Sequence, residues 1–292
     1  MRIVCFGRAT RDETLYLENH ISVGGNTKIR FVETVVGGMV SWAGAAVRDF
    51  GHTPVLVGST GVDTPHEYLG NNVEDYLLRD GLTNHLRVLV DPSGQRSFLS
   101  QESAPYPPIK ILPQYVSNIG GVLVDGYAIL PERNVAEAVE LVAFVRTGGD
   151  PRIPVVVTLP VVDVLKIGDR VSLLCQTFNR LGNVVVVGGI DEHAALTEKW
   201  LDRIFWTTVV TTGSNIPYVD VKLGRTLVHR EPVNLVTNPC NTNGAGDVFA
   251  AGVIVGMVEQ QSLASTLQKS HETAKTHILR TFSEEEENGS AL

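Results

Sequence analysis

Asn241-Thr-Asn-Gly-Ala-Gly-Asp-Val-Phe-Ala250 sets a two-glycine turn, a carboxylate and the start of an apolar run within ten residues. Gly244, Ala245 and Gly246 carry little or no side chain, so their backbone N–H groups can converge on an anion without obstruction. The run from Val248 to Met257 is apolar enough for a buried helix, whose positive dipole end would face the same anion. Asp247 falls in the first turn of that helix. A carboxylate beside an anion hole repels a merely stored phosphate. It suits a general base that strips a proton from a hydroxyl attacking a phosphoryl group. The plainer alternative for Asp247 is an N-terminal cap.

Outward from this stretch, apolar runs recur along the chain: Ile3–Phe6, Val55–Val57, Val122–Val124, Val155–Val157 and Val184–Val187, with the β-branched Thr207–Val210 last. Continuous rather than alternating apolarity is what strands buried on both faces require, as in a parallel sheet covered by helices. Helix candidates lie between them at Met39–Asp49, Glu132–Arg146 and Leu165–Leu181. Strand and helix in alternation predict a doubly wound α/β fold. Two segments break the rhythm. Glu13–Val35 alternates around Gly24-Gly-Asn26, and Leu86–Gln101 does so around Asp91-Pro-Ser-Gly94. Both predict antiparallel excursions forming a small lid over the carboxyl edge of the sheet, where ligands bind in this architecture. Residues 1–282 read as one domain. The charged tail 283–292 lacks apolar periodicity and is expected to be disordered.

The chain of 292 residues, 43% hydrophobic and 19% charged, is long enough for one large α/β core. A formal net charge of −8 argues against nucleic acid or an anionic membrane as partner, while leaving local backbone dipoles free to hold nucleotide phosphates. Cys5 and Cys175 lie in apolar segments and read as core residues, Cys240 abuts the glycine turn, and none shows metal-ligand spacing. The opening run Met1–Gly7 reads as a strand, without the long apolar stretch of a signal peptide or membrane helix, so a cytoplasmic protein is expected.

The string Thr242–Phe249, late in a chain of this size, resembles the signature of the ribokinase-like (PfkB) family of sugar and nucleoside kinases, Asp-Thr-x-Gly-Ala-Gly-Asp-x-Phe. The resemblance extends from Gly7 to about Arg280. It implies a ribokinase-like three-layer α/β/α sandwich with a mostly parallel central sheet and a small β lid. The activity it implies is ATP-dependent phosphorylation of a hydroxymethyl group on a small sugar, with an adenosine-like nucleoside as the alternative acceptor. Asp247 is then the base and Gly244, Ala245 and Gly246 the anion hole. Asp12, which alone reads as a turn or cap residue, takes the family position that contacts acceptor hydroxyls, and Gly37 and Gly38 match the family's paired glycines. Trp42 stands where the family has a sugar-binding asparagine; it is either core or a surface on which an altered substrate stacks.

Gly58-Ser-Thr-Gly-Val-Asp63 resembles a supporting family stretch, in which Asp63 reaches the substrate or caps the next helix. Glu192 fits the family's magnesium-organising glutamate, acting through water, although Gly189 replaces the accompanying asparagine. His193 beside it is expected to be exposed and without a role. Thr211 and Gly213 resemble the nucleotide loop, with Thr242 and Asn243 completing the nucleotide site, and Ile216 stands where relatives often have another glycine. Asn241 replaces the aspartate that usually opens the signature, which implies a weaker dependence on any monovalent cation. Lid strands in such proteins often pair between subunits, so a homodimer through the lid is expected. The departures at Trp42, Gly189 and Asn241 also fit a competing class, a catalytically weak sugar- or nucleotide-binding relative.

Overall fold

The apolar runs become strands because only β-branched and aliphatic side chains tolerate burial on both sheet faces. In the computed structural model, which describes residues 1–22, 24–65, 70–92, 96–101, 117–148, 150–200, 206–212, 216–236 and 242–289, they form a parallel body. Its strands are β1 (Arg2–Arg8), β4 (Thr53–Thr60), β5 (Glu74–Arg79), β8 (Ile119–Val124), β9 (Val155–Thr158), β10 (Val184–Gly189) and β11 (Thr207–Thr211). The hairpin of β12 (Tyr218–Leu223) and β13 (Thr226–Pro232) extends one edge antiparallel, giving the order β13-β12-β11-β10-β9-β8-β1-β4-β5. The mostly parallel, doubly wound α/β body expected from the sequence is the one observed.

Helices cover both faces. One layer holds α1 (Met39–Asp49), α6 (Ala245–Val258) and α7 (Leu263–Gly289), which enclose a core with Cys5, Leu56, Leu123 and Val156. The other holds α2 (Glu132–Thr147), the single turn α3 (Val162–Leu165), α4 (Arg170–Leu181) and α5 (Ile190–Trp200), around Phe6, Val124, Val157 and Phe178. The predicted helix Leu165–Leu181 is thus two pieces. Gly168 takes φ +59 between them, a left-handed turn that no helix interior accommodates. The tail expected to be disordered continues α7 as far as Gly289, in keeping with the high helix propensity of its glutamates. Among the described residues no helix is long and apolar enough to cross a membrane.

Both excursions form the predicted lid. The hairpins β2 (Thr10–Leu17)/β3 (Ile29–Gly37) and β6 (His85–Val90)/β7 (Arg96–Gln101) join through a parallel β2–β6 pairing, in the order β3-β2-β6-β7. Tyr16 stacks on Phe31 with ring centroids 4.0 Å apart, and both pack against Val88 and Val90 in a core of the lid's own. Only Ala9 separates β1 from β2, and only Gly38 separates β3 from α1. The chain therefore enters and leaves the lid at the carboxyl edge of the main sheet. That junction is where the predicted site residues meet.

Candidate active site

The anion turn is set by one conformation. Thr242 C=O accepts the Ala245 N–H at 3.2 Å, and Gly244 takes φ 75, ψ −9, the third position of a type II turn that excludes side chains. A second constraint acts at the same residue. A Cβ on Gly244 would lie 2.6 to 2.8 Å from the Trp42 indole ring, so the turn rests directly on that ring. Of the three predicted anion-hole N–H groups, Ala245 is taken by the turn itself. Gly246 stands over open space, and its N–H belongs to the unpaired first turn of α6. Ten residues of that helix are buried, Val248, Phe249 and Ile254 among them. At roughly 1.5–3 kcal/mol per large side chain, burial holds the helix axis, and so its positive end, against the site.

Asp247 stands in the first turn of α6. Part of the residue touches solvent, yet protein surrounds its carboxyl, and desolvation with the nearby Asp125 and Asp12 charges pushes its pKa up to about 8. Arg96 of lid strand β7 opposes that rise. Asp125 follows the last residue of β8 and is itself buried; desolvation raises it to about 6, against the pull of the Tyr127 and Ala128 N–H groups and of Arg8. The Tyr127 N–H donates to Asp125 Oδ1 at 2.9 Å, and the Tyr127 hydroxyl accepts the Val161 N–H at 3.0 Å. Burial, with Asp125, Asp247 and Glu192 nearby, lifts that hydroxyl to about 12. Arg8, Arg96, Asp125 and Tyr127 were absent from the sequence-based site. For Asp125 a signal existed: it follows the run Val122-Leu-Val124 directly, so it had to fall at the carboxyl edge.

Asp12 is 1% exposed and held by donors on several sides. Thr10 Oγ1 donates to Oδ1 at 2.6 Å and Asn243 Nδ2 donates to Oδ2 at 2.9 Å. Burial raises its pKa, while Thr10, Asn243, Trp42 and the Gly38 N–H pull it down. Gly37 pairs with Thr10 at the end of the hairpin, and a Cβ there would lie 2.0 Å from Asp12 Oδ2. Gly38 takes φ 82, and a Cβ there would meet the Arg8 carbonyl oxygen at 2.3 Å. The paired glycines thus make room for Asp12 and for the chain's return from the lid. The Trp42 indole also stands edge-on to His277, with centroids 5.1 Å apart. It seats the turn, with Gly244 against one face of the ring. His277 Nε2 donates to the Asn243 carbonyl at 2.8 Å. The Asn243 amide predicted for the nucleotide is therefore engaged by Asp12, and its carbonyl by α7.

On the opposite wall, Glu192 Oε1 accepts the Val162 N–H at 3.2 Å, and Oε2 lies 2.3 Å from where a Gly189 Cβ would be. The glutamate folds back into the space that an asparagine at 189 would fill. Thr211 ends β11, with its hydroxyl donating to the Gly188 carbonyl at 3.4 Å. Gly213 and Asn241 lie outside the described residues. His193, expected to be exposed, is only 5% exposed: it faces the sheet from α5, and burial lowers its pKa to about 4. Asp63 accepts from the Thr83 N–H at 2.8 Å and the Thr83 hydroxyl at 2.5 Å, which ties its turn to the approach of β6; residues 66–69, where a helix it could cap would begin, lie outside the described residues. Cys5 and Cys175 are buried as expected. Among the described residues no group of three or more His, Cys, Asp or Glu is placed to cage a metal.

Comparison with known proteins agrees with this geometry. No curated protein sequence matches the chain. Among solved structures, the adenosine kinase of Sinorhizobium meliloti superposes with a TM-score of 0.73 at 18% identity, over 93% of this chain and 92% of that one. A ribokinase from Cryptococcus neoformans in complex with ADP gives 0.69 at 15%, over 94% and 92%. The Arabidopsis thaliana ribokinase complexed with ribose and ATP gives 0.67 at 19%, over 94% and 91%. These identities establish the shared fold. The family model described as pfkB family carbohydrate kinase matches residues 1–284, and the chain belongs to that family of phosphotransferases.

Proposed function

We propose that this protein transfers the γ-phosphoryl group of ATP to a hydroxymethyl group of a small sugar, with Asp247 as the base. The observation that carries the proposal is the setting of Asp247: a desolvated carboxylate at a helix N-terminus, with its pKa pushed up to about 8. A base must hold a proton near the operating pH to take one efficiently from a hydroxyl. The acceptor oxygen forms its bond to the γ-phosphorus as the bond to the β,γ-bridging oxygen breaks. ADP leaves with that electron pair, and the hydroxyl proton passes to Asp247. The Gly246 N–H and the positive end of α6 face the charge on the moving phosphoryl group. Arg96, reaching in from the lid, offsets the negative charge gathered beside Asp247.

The donor set fits Mg²⁺ held largely by water and donor phosphates. That ion takes few carboxylates, and Glu192 presents one at the carboxyl edge of β10 without a surrounding cage. When bound there, Mg²⁺ neutralises donor phosphate charge, and Glu192 orders its waters. Thr211 lies at the same wall, where donor phosphates or ribose would pass. A sugar is favoured over a nucleoside because Gly244 and His277 pack against the Trp42 indole, the ring on which a base would otherwise stack. A binding-only relative has no use for a base with a near-neutral pKa.

The test is ADP release from Mg-ATP across a panel of sugars and nucleosides. Turnover with a sugar is the expected result. Turnover with nucleosides alone would reassign the acceptor, and silence across the panel would leave only the binding function.

A further inference from the structure

We infer that Asp12 and Asn243 form a clasp that holds the anion turn to the lid, so that Asp12 is a positioning residue rather than a hydroxyl ligand of the acceptor. The inference rests on the kinase reading for its effect on turnover, and on geometry for the clasp itself.

A carboxylate offers about four lone-pair sites. In Asp12, Thr10 Oγ1 takes one on Oδ1 and Asn243 Nδ2 one on Oδ2, while the Gly38 N–H, close by, draws its pKa down. The buried Trp42 indole N–H lies toward what is left: it draws the Asp12 pKa down, although it closes no hydrogen bond of ordinary geometry among the described residues. With Asp12 1% exposed and Gly37 packed beneath Oδ2, an acceptor hydroxyl could reach this carboxylate only by evicting a donor.

The donor it would evict controls the turn. Asn243 precedes Gly244, and its two polar ends are fixed in opposite directions. Its amide donates to Asp12 on lid strand β2, and its carbonyl accepts from His277 on α7 at 2.8 Å. A carbonyl can only accept, so His277 Nε2 must carry a proton. The indole of Trp42 fills the space beneath, with Gly244 on its face and His277 at its edge. Residues of β2, α1, the turn and α7 thereby converge at Asn243. Hydrogen bonds to a buried carboxylate are charge-assisted and among the stronger ones in a protein. The turn that presents Gly246 and Asp247 is consequently set by the lid.

An exchange of the two residues tests this. Asn243→Asp sets two buried carboxylates against each other. Asp12→Asn combined with Asn243→Asp restores a donor–acceptor pair in reverse. Two readouts need neither acceptor nor turnover: thermal unfolding of the free protein, and MgADP affinity by calorimetry. The clasp predicts that Asn243→Asp lowers Tm and weakens MgADP at least tenfold, and that the exchanged pair recovers most of both. Asn243→Ala, should the charged single variant fail to fold, is predicted to weaken MgADP and lower kcat at least tenfold, with acceptor KM changed less than threefold. An exchanged pair no better than Asn243→Asp in Tm overturns the clasp. An Asp12→Asn variant whose sole defect is an acceptor KM raised more than tenfold also overturns it, because that is the signature of a hydroxyl ligand. A wild type that binds no MgADP would sink the kinase reading and leave the clasp to be judged by the Tm comparison.

Discussion

The two walls of this site are built by opposite means. On the lid side, burial raises the Asp12 pKa, but Thr10, Asn243, Trp42 and Gly38 all oppose that rise and favour its charged form. On the helix side, Asp247 is hemmed in with two other carboxylates near it and Arg96 as the opposing charge, and its pKa climbs to about 8. A buried carboxylate whose lone pairs are satisfied is scaffold. One left short of donors is costly to ionise and therefore ready to accept a proton. Two aspartates of one site thus serve different ends because their donors differ.

Several experiments would break or sharpen this contrast. The largest effect short of removing the base is expected from Gly244→Ala, which forces a side chain onto φ 75 and into the Trp42 ring. We expect kcat/KM to fall roughly a hundredfold, the order that about 1 Å of misplacement costs. Adding Trp42→Ala should recover part of that loss if the ring contact causes it, and none if the backbone conformation does. Glu192→Gln should raise the Mg²⁺ concentration for half-maximal rate by about tenfold, the order seen when a group ordering metal-bound water loses its charge. An unchanged Mg²⁺ titration would remove Glu192 from the metal site.

Titration separates the walls further. Asp125, ionised near neutral pH, helps raise Asp247, so Asp125→Asn should move the acid limb of the kcat/KM profile to lower pH from its starting point near 8. A stationary limb would mean that Asp125 does not act on the base. The smallest effect expected is on stability. The Asp247 pKa in the folded state lies above its ordinary 3.8, so the folded state binds the proton more tightly. Its contribution is full below pH 4 and is lost as pH rises through about 8. Asp247→Asn should therefore raise Tm by a few degrees at pH 8 and by less at pH 5, since about 1 kcal/mol moves Tm by roughly 2–4 °C at such sizes. A Tm gain independent of pH would argue against the raised pKa.

Much of the fold was legible in the sequence because period and burial are local signals. The apolar runs at Val122, Val155 and Val184 could serve only as doubly covered strands, and the alternating excursions could not join them. Strands β5 and β13 escaped because they are the two edges of the sheet, where half-exposed residues such as those of Glu74–Arg79 give no continuous run, and β12 because Asp220 and Lys222 interrupt its apolar residues. The site divides similarly. The turn and Asp247 are contiguous and carry their own chemistry. The partners of Asp12 do not: Asn243 meets it across 231 positions, and Arg96 arrives from a lid strand whose register no local pattern specifies. His193 was misjudged because its polarity suggested solvent, whereas α5 turns it toward the sheet.

The most direct test of the central claim is turnover of Asp247→Asn beside the wild type, with the best acceptor from the panel. The substitution keeps the shape and removes the base. The account predicts a loss on the order of a thousandfold in kcat, within the usual worth of a positioned base, with MgADP still bound. A loss below roughly tenfold would contradict it, because the proton would then be leaving by another route.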